Sequence, residues 1–299
     1  MFPLIFLHVK PARVARMFVR PGEGEAVTRA GTRALDILCD LPELSAALIR
    51  HAAGEPGPDL HVHREHTDAF YVLEGTLTVE LGPGGAESFD LAPGSLALAP
   101  ANVVHTFRNG GDDWLSILNL HAPGDGFNAM LRGARDGVAV PWDSFAPPAD
   151  GGRAAVDGVV SRPGEGEPLD AGDNRFLFKA QATDGDGTVS VTEMTVGSDF
   201  PGPPLHLHRG FAECFYVLEG TLGLRLGEDA VEAEPGTFAS APPGTPHTFF
   251  NPGSEPVRVV NLMAPGGFEA YIKELWASGG PPDPATIARI GPRCDIEVV

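Results

Sequence analysis

The chain has 299 residues, 42% of them hydrophobic and 20% charged, which excludes a disordered protein and leaves room for two domains with their own cores. A formal net charge of −19 excludes nucleic acid as a partner, because phosphates demand a basic surface. Three cysteines, Cys39, Cys214 and Cys294, with no close-spaced pair, imply neither a disulfide framework nor a zinc ribbon, so a reducing compartment is expected.

The chain opens on Met1-Phe2-Pro3-Leu4-Ile5-Phe6-Leu7. This run is far shorter than the ~20 apolar residues that span a bilayer, and it lacks the basic start and small-residue cleavage site of a signal peptide. A soluble cytoplasmic protein with no membrane partner is expected. Arg20-Pro21-Gly22-Glu23-Gly24-Glu25 reads as an exposed turn at a domain edge, and the region from Leu41 to Ala52 is expected to hold a short helix. His61-Val62-His63 follows, then Asp68 and Gly75. Residues i and i+2 of a strand face the same side, so His61 and His63 converge on one point, and Asp68 starts the next strand. Leu77–Leu81 and Ser95–Ala99 are short β-like runs bounded by glycine or proline. His105, just past a proline-containing turn, adds a third imidazole, with Asn109 after it. Pro141 to Arg153, containing Pro147-Pro148-Ala149-Asp150-Gly151-Gly152, has linker composition.

Beyond this seam the chain repeats itself. Arg162-Pro163-Gly164-Glu165-Gly166-Glu167 restates the Arg20 segment, and Phe215 to Leu222 is identical to Phe70 to Leu77. His206, His208, Glu213 and Gly220 each lie 145 positions after His61, His63, Asp68 and Gly75, and His247 and Asn251 lie 142 after His105 and Asn109. Asn119-Leu120 and Ala122-Pro123-Gly124 return as Asn261-Leu262 and Ala264-Pro265-Gly266. Leu222–Leu226 and Thr237–Ser240 are the matching β-like runs. Gly267 to Trp276 is expected to be a helix with Phe268, Tyr271, Ile272 and Leu275 on one face. Two copies make two domains, not a solenoid. The same register sets Met17 against Val159, so residues 1–16 are unmatched; they are read as an added strand across the domain interface or an overlong start.

Three nitrogens and one carboxylate oxygen in each copy suit a divalent first-row metal such as Fe, Mn, Ni, Cu or Zn, one per domain. Four protein ligands leave positions open for water, dioxygen or substrate, unlike a closed structural zinc site. Cys214 follows Glu213 directly, so strand alternation turns it away from the metal as a core thiol.

The pattern H-x-H-x4-E-x6-G followed by G-x5-P-x-G-x2-H-x3-N resembles that of the cupins. The second half matches it through His206, His208, Glu213, Gly220, Gly236, Pro242, Gly244, His247 and Asn251. The first half departs at Asp68 for the glutamate and Asn102 for a glycine. The chain therefore resembles a bicupin, most like the quercetin dioxygenase-like group. The resemblance implies an all-β fold of two tandem jelly-roll barrels with a few short helices: an extension 1–16, a cupin domain 17–146, a linker 147–155 and a cupin domain 156–299.

Asp68 is one methylene short of glutamate and reaches a metal only if its strand shifts or a water intervenes; Asn102 still tolerates positive φ. The Glu213 site is thus expected to be the better one. His66, two residues before Asp68, is read as a solvated loop residue in preference to a substitute ligand, and His8, His51 and His121, unmatched in the other copy, as surface or packed residues. Alternation from the ligands places Phe70, Val72, Phe107, Phe215, Val217 and Phe249 on the metal-facing side. This apolar lining favours a flat, chelating substrate, and no arginine falls there to pair a small dianion such as oxalate. The leading reading is a metal-dependent dioxygenase on an aromatic or enolic small molecule, with Glu213 as a base. Its rivals are a non-redox isomerase, cyclase or lyase, and a non-catalytic binding protein.

Overall fold

The computed structural model describes residues 16–124, 126–155, 158–277 and 283–299; the rest of the unmatched N-terminal segment, including His8, lies outside them. Short apolar runs punctuated by glycine and proline form strands that pair antiparallel into two barrels. In the first, a sheet runs in the order Val159–Ser161, Leu96–Ala99, Thr67–Glu74, Leu115–Ala122, Ser45–His51, Arg33–Asp40, Glu25–Ala30. A smaller sheet of Glu87–Leu91, Leu77–Leu81 and His105–Asn109 closes it. The second repeats this with Phe18–Val19, Phe238–Ala241, Ala212–Glu219, Val257–Ala264, Ser190–Val196, Asn174–Ala180 and Glu167–Ala171. Its smaller sheet contains Asp229–Ala233, Leu222–Leu226, His247–Phe250, His206–Leu207 and Glu297–Val298.

The two large sheets pack face to face. Tyr71, Leu118 and Leu120 of one share a buried cluster with Cys214, Val260 and Leu262 of the other, while Phe70, Val72 and Ile117 turn into the first barrel. Buried on both faces, the central strands have no need of polar alternation; Leu115–Ala122 is buried at every position. Cys214 and Cys39 sit in the shared cluster, away from the imidazoles.

The halves also exchange their first strands. Val19 pairs with Phe238 in the second barrel, and Val160 pairs with Ala97 in the first. A division by sequence at 17–146 and 156–299 therefore assigns each of these strands to the barrel opposite the one it completes. The stretch after Pro141 does more than connect: Phe145 exchanges backbone hydrogen bonds with Val62, which straps it beside the first His-x-His pair.

The expected helix within Leu41–Ala52 is instead the strand Ser45–His51, paired on one edge to Leu115–Ala122 and on the other to Arg33–Asp40. Helix preference of Ala and Leu amounts to only a few tenths of a kcal/mol per residue, which two ladders of hydrogen bonds and burial override. The expected helix after the second sheet is present as α2 (Phe268–Trp276), with counterpart α1 (Phe127–Asp136) in the first half and α3 (Pro284–Ile290) beyond it. Asn102 holds φ 69° where Gly244 holds 81°. Their N–H groups donate to the carbonyls of His63 and His208, so the same turn buttresses both His-x-His segments. Among the described residues no helix is long and apolar enough to cross a membrane.

Candidate metal centres

Backbone pairing brings the imidazoles together. His61 and His105 exchange N–H···O bonds, and His206 and His247 are partners across their strands. The rings of His61 and His105 lie 4.4 Å apart and those of His206 and His247 4.5 Å apart. His63 is 5.0 Å from His105, and His208 is 5.1 Å from His247. Agreement within 0.1 Å between the copies shows that one scaffold holds both triads.

Each ring is fixed from behind. Nδ1 of His61, His63 and His105 lies 2.8, 2.5 and 2.9 Å from the carbonyl oxygens of Asp59, Asp143 and Val103. His206, His208 and His247 do the same to Pro204, Asp295 and Thr245 at 2.8, 3.0 and 2.8 Å. A carbonyl only accepts, so every Nδ1 carries a hydrogen and every Nε2 faces inward, where it can bind a cation when it holds no proton of its own. The Asp143 carboxylate accepts from the N–H groups of Arg64 and Glu65, and the Asp295 carboxylate from those of Arg209 and Gly210, which fixes the loop after each His-x-His.

The carboxylates differ as their lengths dictate. Glu213 Oε2 is 2.8 Å from His247 Nε2 and 3.3 Å from His208 Nε2. Asp68 Oδ2 stands back at 3.3 Å from His105 and 3.7 Å from His63. Each carboxylate's other oxygen accepts from an asparagine, Asn261 at 2.9 Å and Asn119 at 2.6 Å. Burial alone would raise the Glu213 pKa, but the His208 and His247 imidazoles outweigh it and hold the carboxyl well below its usual range. Asp68 is likewise lowered against its burial, by His121, His105 and His63. Burial, with His105 and His247 as neighbours, pushes His61 and His206 down to about 4.

These residues fit a metal. The donor atoms of His61, His63, Asp68 and His105, and of His206, His208, Glu213 and His247, each lie within 4.8 Å of one another. His63 Nε2 is buried with no hydrogen-bond partner. Inward-facing imidazole nitrogens around a buried carboxylate need a cation among them, either a proton or a metal ion.

Two predicted bystanders belong to the first site. His66 is not a solvated loop residue: it is buried, stacks on His63 at 4.2 Å, and its Nδ1 lies 2.8 Å from Asp143 Oδ2. His121 is buried with Nε2 3.6 Å from Asp68 Oδ1. Phe211 and Met263 hold the matching positions of the second half. His51 is packed as expected, stacked on Phe107 at 5.7 Å.

A cavity opens over each centre. The first, about 830 Å³, is reached by His61, His63, Asp68 and His121 and walled by Phe107, Phe127, Met130 and Trp142. Arg33 and Arg135 line it, each engaged with carboxylates, Glu55 for one and Glu25 and Asp136 for the other. The second, about 420 Å³, has His206 and Glu213 at one end. Phe176, Phe200, Phe249 and the α2 side chains Phe268, Tyr271, Ile272, Leu275 and Trp276 form most of its wall, with no lysine or arginine among the described residues. Of the lining expected from alternation, Phe107 and Phe249 reach the cavities. Phe70, Val72, Phe215 and Val217 do not; they point inward but lie deeper, packed in the barrel cores. Phe70 and Phe215 support the lining rings from behind, at 5.0 and 5.5 Å. The α2 wall was legible as an apolar helix face, but not as the side of a pocket.

Residues 47–121 and 191–263 match the cupin domain family. The chain is 26% identical over 309 aligned residues to quercetin 2,3-dioxygenase of Bacillus subtilis strain 168, covering 90% of this chain and 88% of that protein. Among solved structures it resembles the Lactobacillus farciminis oxalate decarboxylase formate complex, with TM-score 0.61 and 13% identity over 86% of this chain and 88% of the other. Oxalate decarboxylase from Bacillus subtilis gives TM-score 0.59 and 16% identity, over 85% and 78%. At such identity these structures bear on the fold alone.

Proposed function

We propose that this chain, a bicupin with two cupin domains, is a metal-dependent dioxygenase acting on an aromatic or enolic small molecule, with the second barrel as its reaction centre. The observation that carries this is the second cavity: His206 and Glu213 as candidate metal ligands, and a wall that is mainly aromatic and aliphatic, with Asn174 and Thr195 as its polar members and no cationic side chain among the described residues. Its volume lies within the ~300–1,000 Å³ usual for small-molecule sites. Such a wall accepts a flat, uncharged ring and leaves a small dianion without a counter-charge. The similarity to quercetin 2,3-dioxygenase supports the same substrate class.

His206, His208, His247 and Glu213 would hold the ion, which when bound acidifies a chelating hydroxyl and makes the substrate electron-rich toward dioxygen. Phe200, Phe249 and the α2 face orient the ring and exclude water. Glu213 is anchored at Oε1 by Asn261 and turns Oε2 toward the His247 and His208 imidazoles. In the metal-free protein that oxygen is held by His247, whose second nitrogen must carry a proton to donate; Oε2 would be the oxygen facing the ion, and Glu213 would act as base for the substrate's proton only when detached from it.

The test is oxygen uptake with a flavonol by metal-loaded wild type and E213Q. Uptake by wild type, with E213Q keeping most of the metal but losing turnover at least a hundredfold, is expected. Turnover of the flavonol without oxygen consumption overturns the dioxygenase reading, and equal turnover by E213Q removes the base.

A further inference from the structure

The cupin ligand set leaves three buried imidazoles of the first barrel unused: His51, packed on Phe107, and the pair His66 and His121 beside the metal centre. His66 is 3% exposed; Asp143 fixes its Nδ1, and Asp143 is itself fixed by two backbone N–H groups. Its Nε2 is buried without a partner. His121 is 2% exposed; its Nε2 lies 3.2 Å from Asn119 Oδ1, and its Nδ1 is buried without a partner. The His63, His66 and His121 rings lie 4.2 to 5.5 Å apart, and one ring nitrogen of each falls within 4.8 Å of the others.

The fold does not require these imidazoles. The second barrel builds the same centre with Phe211 stacked on His208 at 4.1 Å and with Met263 in the other place. Exchanging an apolar pair for two imidazoles in a dry site costs desolvation unless each ring finds partners for both nitrogens. Here one nitrogen of each has none.

We propose that His63, His66 and His121 form a second metal seat in the first barrel, suited to a late first-row ion such as zinc or copper. Three imidazoles without a carboxylate are a borderline-soft donor set of that preference. His63 has only Nε2 to offer, because Nδ1 donates to the Asp143 carbonyl. It therefore serves either the ion among His61, His105 and Asp68 or the one beside His66 and His121, and the seats alternate. Asp68 stands back from its imidazoles, so the new seat is the tighter for zinc. The second barrel, with Phe211 and Met263, has one seat. This assignment is independent of the dioxygenase reading.

The test is zinc per full-length chain by plasma mass spectrometry, after loading and desalting. Wild type and H61A/H105A are both expected to hold two, and H61A/H105A/H66F/H121M one, that of the second barrel, which also reports an intact fold. One zinc in H61A/H105A overturns the proposal. The second arm is H66F/H121M, which installs the residues the other half already carries. Its first-barrel zinc affinity is expected to fall at least tenfold in a chelator competition, and an unchanged affinity overturns the proposal.

Discussion

Asn261 controls the second centre through one side chain, and replacing it with leucine tests how that centre is held. Its Nδ2 donates to Glu213 Oε1 at 2.9 Å and is 3.3 Å from the Cys214 carbonyl, and all three residues are buried. Leucine keeps the γ-branched shape with a somewhat larger volume and removes both bonds, leaving a buried carboxylate oxygen unpaired. A buried acceptor so orphaned costs ~1–3 kcal/mol, with charged groups at the upper end, so Asn261→Leu is expected to lower metal-free stability at pH 7 by about 2–3 kcal/mol. Loss of an outer partner of this type weakens metal binding by roughly 10- to 100-fold. Urea unfolding of metal-free protein gives the first quantity and zinc competition the second. In the E213Q background the stability loss should shrink to about 1 kcal/mol, because the orphaned group is then neutral. An Asn261→Leu protein as stable and as metal-avid as wild type refutes the claim that Asn261 holds Glu213.

The pH dependence of metal-free stability follows from the imidazoles that burial pushes down to about 4, His61, His66 and His206. The unfolded chain binds their protons first, so their contribution is full above about pH 6.5 and is lost as pH falls toward 4, at roughly 3 kcal/mol per group. His247, held above its ordinary value by Glu213 in spite of burial, offsets part of this. Melting of metal-free protein should therefore drop steeply between pH 6.5 and 4, and a flat profile contradicts the burial argument. Phe200→Ala removes half-buried cavity wall without touching a ligand. An aromatic contact worth ~1.5–3 kcal/mol should raise KM for a flavonol about 10- to 100-fold with metal content unchanged; an unaltered KM moves the substrate elsewhere.

The clustering of these imidazoles and carboxylates was legible because it rests on covalent spacing. Strand alternation brings His206 toward His208, and a constant register of 145 and 142 residues carries the whole set from one half to the other. The groups that hold those ligands were not. Asp143 lies 80 residues from His63 and Asp295 lies 87 from His208; neither spacing is local, and the pair is offset from the main repeat. His121 was set aside for an opposite reason, because the duplication made its absence from the second half look like absence of a role, and His66 because it falls in the loop between the His-x-His pair and the next strand. Ser45–His51 was misread on local propensity, although its counterpart Ser190–Val196, with Val191, Thr192, Thr195 and Val196, is plainly β-branched. Depth within a barrel is invisible to alternation, so Phe70 and Phe215 shared the metal-facing parity of Phe107 and Phe249 without reaching a cavity.

That each barrel builds its own metal centre is tested most directly by metal content per chain in wild type, H61A/H63A and H206A/H208A, purified without added metal. Two ions in wild type and one in each double variant are the expected result. Full retention of metal in both variants, or none in wild type at any loading, contradicts it.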